Sequence, residues 1–143
     1  MILLDSDHVS VLRVESSDRR NRLVARMGTT LDDFFTVPIV AVEESMRGWM
    51  ASIAKERQAK RQIAPYRELG ELFDFYAQYE IAPFDERAAI LFDGMGSIQI
   101  SRSDRKIAAI AKANDALLLT ANKRDFERVP GLRFENWMDE SAG

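Results

Sequence analysis

The chain has 143 residues, of which 46% are hydrophobic and 30% charged, which predicts one globular domain over 1–143 and excludes a disordered chain. The net charge of −3 argues against nucleic-acid binding over the whole surface, and the absence of cysteine excludes disulfides and thiolate metal sites. Because no apolar run approaches the roughly 18 residues of a membrane span and no signal-peptide pattern begins the chain, we expect a cytoplasmic protein without membrane contact.

The N-terminal part of the chain predicts a strand and then a helix. Residues 2–5 begin with a short aliphatic run that is typical of a buried strand. Ser17 is suited to cap a helix over 18–27, and Gly28 is a suitable residue to end it.

A second strand and two helical segments follow. The run FFTVPIV (34–40) predicts the strand, with Pro38 near an end or an edge because proline cannot donate a ladder hydrogen bond. Helix is predicted over 41–57 and again up to about Tyr79, with a break near Pro65.

The second half of the chain predicts three further strands, at 80–84, 116–120 and 132–137, the last of them at an edge. The run ALLLT (116–120) is continuous and aliphatic, as in strands buried on both faces. Since these strands alternate with helices, the pattern predicts an α/β fold with a mainly parallel sheet of four to five strands flanked by helices.

Two helices in this half have recognisable caps. Asp85 is suited to cap the helix that follows the strand at 80–84. The helix over 103–114 is predicted to begin at Ser101 or Ser103 and to end near Asn114.

Acidic residues from separate segments are expected at one edge of this sheet. Asp5 ends the first strand, Asp125 follows the strand at 116–120, and Asp104 lies in the first turn of the helix leading into that strand. Glu43 and Glu44 open the helix after the second strand, and periodicity does not choose between them. Ligands of open parallel sheets bind beyond the carboxyl ends of the strands, so these acids indicate a site there.

The chemistry of such a site favours a divalent cation. Carboxylates gathered without a counter-ion repel one another, and an all-oxygen ligand set suits Mg²⁺ or Mn²⁺. His8 is the single histidine, which argues against a zinc site of imidazoles, and we expect it at the surface. Taken one at a time, the acids that open helices are also explained by the helix dipole alone.

The chain resembles the PIN-domain ribonucleases, and among them the VapC-type toxins of toxin–antitoxin pairs. The resemblance runs from ILLDSDHVS through VAVEESMRGW and DRKIAAIAKAN to LLLTANKRDFERVPGLRFENW, and the last two blocks are the most specific. One departure is the sequence ISRSD, where the family commonly has glycine or proline before the acid. This departure is expected to alter the loop beside the site.

The resemblance implies a PIN-like three-layer fold and assigns roles to individual residues. It implies that four acids are catalytic and hold Mg²⁺ or Mn²⁺: Asp5, Glu44, Asp104 and Asp125. It implies supporting polar groups at Asp7, Ser6 and Asn122. The basic residues beside the acids, which otherwise suit a solvated surface, become expected RNA-binding groups: Arg102, Arg105, Lys123 and Arg124.

The activity implied by the resemblance is hydrolysis of RNA by a metal-dependent endoribonuclease, the toxin of a type II toxin–antitoxin system. Its expected partners are an RNA substrate, an antitoxin and a second copy of the chain. The helices after the second strand are expected to contribute to that homodimer. The apolar stripe of the second helical segment is nevertheless predicted to be core, and comprises Leu69, Leu72, Phe73 and Tyr76.

Two alternatives come from other classes of protein. A phosphohydrolase of the haloacid-dehalogenase type also ends an apolar strand in Asp-x-Asp and would use Asp5 as nucleophile, but Val9 stands where that signature has threonine. A binding module without catalysis would capture RNA or a protein in a metal-independent way.

Overall fold

The computed structural model describes residues 1–14 and 16–140. Within them the chain forms five strands: β1 (Ile2–Leu4), β2 (Phe35–Pro38), β3 (Glu80–Ala82), β4 (Leu117–Leu119) and β5 (Phe134–Glu135). The helices of this part of the chain are α1 (Ser6–Val14), α2 (Asp18–Thr29), α3 (Ile39–Lys55), α4 (Ala59–Tyr76), α5 (Glu86–Asp93), α6 (Arg102–Ala113) and α7 (Lys123–Phe126). None of them is long and apolar enough to cross a membrane.

The five strands form one parallel sheet in the order β3-β2-β1-β4-β5. Leu3 of β1 lies beside Thr36 on one side and Leu118 on the other. The chain adds strands outward from β1 in one direction through β2 and β3, and in the other through β4 and β5. The strand order therefore reverses at β1 and β4, where a parallel sheet opens a crevice at its carboxyl edge.

Helices cover both faces of the sheet, which confirms the predicted α/β fold. Alternate residues of a strand point to opposite faces. Leu3 and Leu118 belong to a core that α5 and α6 complete, while Leu4 and Leu119 belong to a second core formed with α1 to α4. The two cores give the chain its three layers.

The predicted caps of the second half are present. Asp85 accepts a hydrogen bond from the backbone N–H of Ala88 at 3.0 Å. Ser101, not Ser103, caps α6, and its hydroxyl accepts from the N–H of Asp104 at 3.1 Å. Both the helix start and the position of that acid therefore depend on one serine.

The predicted end of α2 at Gly28 is wrong, because the helix continues to Thr29. The hydroxyls of Thr29 and Thr30 donate to the carbonyl of Arg26 at 3.1 and 2.8 Å. These bonds satisfy a terminal carbonyl without a left-handed glycine, so the helix ends beyond Gly28. The start is as predicted, with the Ser17 hydroxyl accepting from a backbone N–H of the first turn.

The predicted break at Pro65 is also wrong, since α4 passes through it. Pro65 is buried, and a proline removes only one intrahelical hydrogen bond, so packing holds the helix together. In the apolar stripe of α4, Leu72 and Tyr76 are buried and Leu69 is half-buried, as predicted for core residues. Phe73 is 62% exposed, so the core prediction fails there.

Candidate active site

The buried carboxylate of Asp5 lies at the centre of the carboxyl edge. Its Oδ1 accepts from the N–H of Ser6 at 2.8 Å, and its Oδ2 accepts from the hydroxyl of Thr120, just after β4, also at 2.8 Å. The backbone carbonyl of Asp5 accepts from the N–H of Val9 at 3.0 Å and so begins α1. Asp5 therefore joins β1, α1 and β4, and only 6% of it is exposed.

This environment favours the protonated form of Asp5. Burial raises the pKa of Asp5 from 3.8 to about 7, and the charges of Asp7 and Asp104 contribute to that rise. The hydrogen bonds from Thr120 and Ser6 act in the opposite direction, because they stabilise the carboxylate. Desolvation outweighs these two hydrogen bonds.

The structure chooses between the two glutamates of α3. The Ser6 hydroxyl donates to Oε1 of Glu44 at 3.1 Å, which draws that side chain towards Asp5. Burial raises the pKa of Glu44, and the charge of Asp104 adds to the effect. Glu43 instead faces solvent and pairs with Arg47 one turn further along the helix. Glu44 is thus the glutamate of the cluster.

Asp104 and Asp125 are linked by one amide side chain. Nδ2 of Asn122 donates to Oδ2 of Asp104 at 3.2 Å and to Oδ2 of Asp125 at 3.0 Å. Burial raises the pKa of Asp104, and the charges of Asp125 and Asp7 contribute. The backbone N–H of Asn122 in turn donates to the hydroxyl of Thr120 at 3.0 Å. Asn122 therefore connects α6 and α7 to the residue that holds Asp5.

Asp7 is held by a chain of hydrogen bonds that runs inward to the buried ring of His8. Its Oδ2 accepts from the N–H of Ala121 at 2.9 Å, and its Oδ1 lies 2.6 Å from Nδ1 of His8. Nε2 of His8 lies 3.3 Å from the backbone nitrogen of Trp137 and accepts its hydrogen, so Nδ1 of the neutral ring carries the hydrogen that Asp7 accepts. Both carboxylate oxygens of Asp7 are therefore held within the protein, and the supporting role that the resemblance implies stays a prediction.

The expectation that His8 lies at the surface is wrong, because the side chain is fully buried. The helix α1 begins immediately after β1, which the sequence analysis did not predict. In a helix starting at Ser6, His8 shares a face with Val11, three residues on, and that face packs inward. The sequence signal that predicts a buried His8 is its spacing of three residues from Val11 in a helix that begins at Ser6.

The four basic residues lie at the beginnings of α6 and α7. The guanidinium groups of Arg102 and Arg105 lie over the ring of Phe92, at 5.9 and 5.3 Å from its centre. Arg105 is half-buried there, whereas Arg102, Lys123 and Arg124 are exposed. Both helices also contribute an acid to the cluster, so these exposed cations lie close to it along the chain.

The carboxylate oxygens at this edge are suitable ligands for a hard divalent cation, although the side chains are not arranged around one. Among the residues described, no three acidic or histidine side chains stand in position to hold a metal ion together. Asp5, Glu44 and Asp104 nevertheless all have raised pKa values, partly because of neighbouring acids. A divalent cation would relieve that repulsion, and carboxylates are the ligands that Mg²⁺ accepts.

The fold and the acid cluster together define a PIN-like α/β protein. No family model matches the chain. The chain is 33% identical over 86 residues to the tRNA(fMet)-specific endonuclease VapC of Salmonella typhimurium, and 31% identical over 87 residues to a ribonuclease VapC of Haemophilus influenzae. These alignments cover 55% and 56% of this chain and 64% and 65% of the relatives, so less than two thirds of the relatives' length is matched.

Solved structures show the same fold over nearly the whole chain. The crystal structure of DNA-bound VapBC from Salmonella typhimurium matches with a TM-score of 0.71 and 22% identity, covering 95% of this chain and 97% of the other. The VapBC-1 structure from nontypeable Haemophilus influenzae matches with a TM-score of 0.78 and 18% identity, covering 97% and 100%. The resemblance to VapC-type proteins and the PIN-like fold are thereby confirmed.

Proposed function

We propose that the protein is a metal-dependent endoribonuclease and the toxin of a type II toxin–antitoxin system, acting in the cytoplasm. The observation that carries this proposal is the convergence of acids from separate segments at the strand-order reversal of a parallel sheet. The curated relatives named as an endonuclease and a ribonuclease support the reaction class. The neighbouring VapBC structures support an antitoxin as partner.

In the proposed reaction, this chain holds Mg²⁺ or Mn²⁺ through Asp5, Glu44, Asp104 and Asp125. When bound, such a cation would supply activation of water and stabilisation of the leaving oxygen of a phosphodiester, and the products would carry a 5′-phosphate and a 3′-hydroxyl. Thr120 and the backbone of Ser6 fix the Asp5 carboxylate.

Binding of the RNA backbone is proposed for the exposed cations at the starts of α6 and α7. Arg102, Lys123 and Arg124 are exposed and would attract phosphates towards the acids, and Arg105 would contribute from its place against Phe92. A local basic rim of this kind is compatible with a net charge of −3. We propose that an antitoxin blocks the site by placing a basic side chain among the acids.

A homodimer is proposed through the helices that follow β2. Apolar side chains remain exposed on α3 and α4, among them Ile39 at 40%, Met50 at 56% and Phe73 at 62%. Large exposed apolar groups on neighbouring helices are typical of protein–protein contacts.

The haloacid-dehalogenase alternative is disfavoured by a residue close to Asp5 in the chain. Val9 stands where that signature has threonine, and its side chain is buried in the core of α1 to α4. An aspartyl-phosphate on Asp5 would nevertheless be direct support for that alternative.

The proposal is tested by incubating the purified protein with labelled RNA in Mg²⁺, in Mn²⁺ and in EDTA. We expect cleavage with either metal and none with the chelator. Asp5→Asn and Asp104→Asn should abolish cleavage without unfolding the protein, whereas Asp93→Asn, an exposed acid of α5, should cleave like the wild type. Cleavage that persists in EDTA, or a fully active Asp5→Asn variant, would contradict the metal mechanism.

The toxin role has its own test. The product of a small neighbouring reading frame is co-expressed with the protein, and cleavage is measured with and without it. Binding with loss of cleavage supports the toxin role. A nuclease that no neighbouring product inhibits would instead be a solitary RNA-processing enzyme.

A further inference from the structure

A cavity of about 350 Å³ opens beside the acid cluster, between α1 and α3. The end nearest the acid cluster is lined by Ser6 and Glu44, the pair joined by the 3.1 Å hydrogen bond. Ser10 and Trp49 lie further along its walls, and Ser10 is exposed to solvent. The cavity is therefore continuous with the carboxyl edge of the sheet and accessible from outside.

The walls of this cavity combine one aromatic surface with fixed polar groups. Trp49 is half-buried: it packs against the core formed with α1 to α4 and also lines the cavity. The guanidinium of Arg13, another lining residue, is held by Glu68 at 3.2 Å and lies over the ring of Phe75 at 5.9 Å. A wall that is already held in place loses little conformational entropy when it binds a ligand.

The size and chemistry of the cavity select a flat group with polar edges. Its volume lies near the lower limit of about 300 Å³ for small-molecule pockets. Tryptophan stacks on nucleobases, and hydroxyl and guanidinium groups bond to the edges of bases.

We propose that this cavity binds the nucleobase next to the scissile phosphate, with the indole of Trp49 as its stacking surface. The inference rests on the proposed ribonuclease function and deepens it by adding a base-binding subsite. A phosphodiester at the acid cluster brings the base of one flanking nucleotide to the Ser6–Glu44 end of the cavity. The base then lies against Trp49, and Arg13 and Ser10 face its edge.

The first experiment uses an RNA oligonucleotide that the wild-type protein cuts, and a set of copies in which one position at a time is an abasic ribose. Trp49→Leu removes the aromatic surface but keeps apolar bulk, and Trp49→Phe restores an aromatic ring. Tyr66→Leu is the matched control, because Tyr66 is an aromatic residue, 57% exposed on α4, that does not line the cavity. Melting temperatures confirm that each variant is folded.

We expect Trp49→Leu to raise KM by about 5- to 100-fold with kcat unchanged, since stacking of one base is lost from ground state and transition state alike. Trp49→Phe should recover most of the loss, and Tyr66→Leu should match the wild type. An abasic ribose beside the cut should raise KM for the wild type but add little in Trp49→Leu, because both changes remove the same contact. Additive effects of the two changes would overturn the inference.

A binding measurement separates this inference from the proposed function. In the Asp104→Asn background, which binds without cutting, the oligonucleotide should quench tryptophan emission. Trp49→Leu in that background should abolish the quenching, because the other tryptophan, Trp137, is only 6% exposed. Cleavage by the wild type with quenching unaffected by Trp49→Leu would overturn the base-binding subsite and leave the nuclease intact.

Two other results are equally decisive. If the wild type cuts no RNA, the proposed function fails, and quenching alone decides whether the cavity binds a base. If Trp49→Leu leaves the RNA measurements unchanged but weakens binding of the co-expressed antitoxin, the cavity serves a protein partner and the inference is overturned.

Discussion

Replacing Asp5 with asparagine should stabilise the metal-free protein at alkaline pH and abolish cleavage at every pH. The folded protein binds a proton at Asp5 up to about pH 7, whereas the unfolded chain releases it near the ordinary value of 3.8. The free energy that this proton contributes is therefore present below about pH 4 and is lost as the pH rises towards 7. Above that pH the wild type retains a buried, unpaired charge.

The size of the effect follows from the displacement of the pKa. A rise of about three units corresponds to about 4 kcal/mol of unfolding free energy. The asparagine of the Asp5→Asn variant is uncharged throughout, so the gap between variant and wild type should grow by that amount between about pH 4 and pH 8. The amide nitrogen cannot accept from Ser6 or Thr120, which adds a destabilising offset of about 1–3 kcal/mol that does not change with pH.

The assay is urea unfolding of both proteins in EDTA across this pH range, with Asp93→Asn as a control for the loss of one exposed acid. The variant should begin less stable than the wild type at the acid end and become more stable at the alkaline end. Stability curves that run parallel across the range would refute the reasoning, because they would show that Asp5 titrates alike in the folded and unfolded chains.

Three further predictions concern other parts of the site. His8→Phe should lower the free energy of unfolding by about 1–3 kcal/mol in urea titrations, because the buried N–H of Trp137 loses its acceptor; an unchanged midpoint would contradict this. Ser101→Ala should lower the free energy of unfolding by about 0.5–2 kcal/mol in the same measurement, and Ser103→Ala should lower it clearly less. Equal losses in the two variants would show that the Ser101 side chain does not stabilise the protein by capping α6. Mg²⁺ at about a hundred times its dissociation constant should stabilise the wild type by about 2.7 kcal/mol in thermal melts, and Asp104→Asn much less; an equal gain in both proteins would place the cation elsewhere.

The sheet and the grouping of the acids were predictable because both follow from chain order and the chemistry of single residues. An aliphatic run ending in an acid places Asp5 at a strand end, and a serine three residues before Asp104 fixes the start of α6. The choice of Glu44 over Glu43 was open from periodicity and depended on the family resemblance, since it requires the hydroxyl of Ser6 on another helix.

The interior of the site was less predictable because its contacts are long-range. His8 is buried by Trp137, which lies 129 residues away, and no local pattern reports such a pairing. The break predicted at Pro65 was wrong for a similar reason. The local preference of proline against a helix interior is outweighed by packing between α3 and α4. Phe73 lies outside the core although its spacing matches that of Leu72 and Tyr76.

The hydrogen bond between Trp137 and His8 has a consequence for the order in which the site is assembled. Met138 beside it is fully buried, and its carbonyl accepts from Nε of Arg22 at 2.6 Å, so this segment is fastened to α2 as well as to α1. Synthesis proceeds from the N-terminus, so the donor that fixes the ring of His8, and through it Asp7, is made 129 residues after His8 itself. A nascent chain that has not yet reached Trp137 contains Asp5 and Asp7 but lacks this support, so the acid edge is completed only after Trp137 has been added.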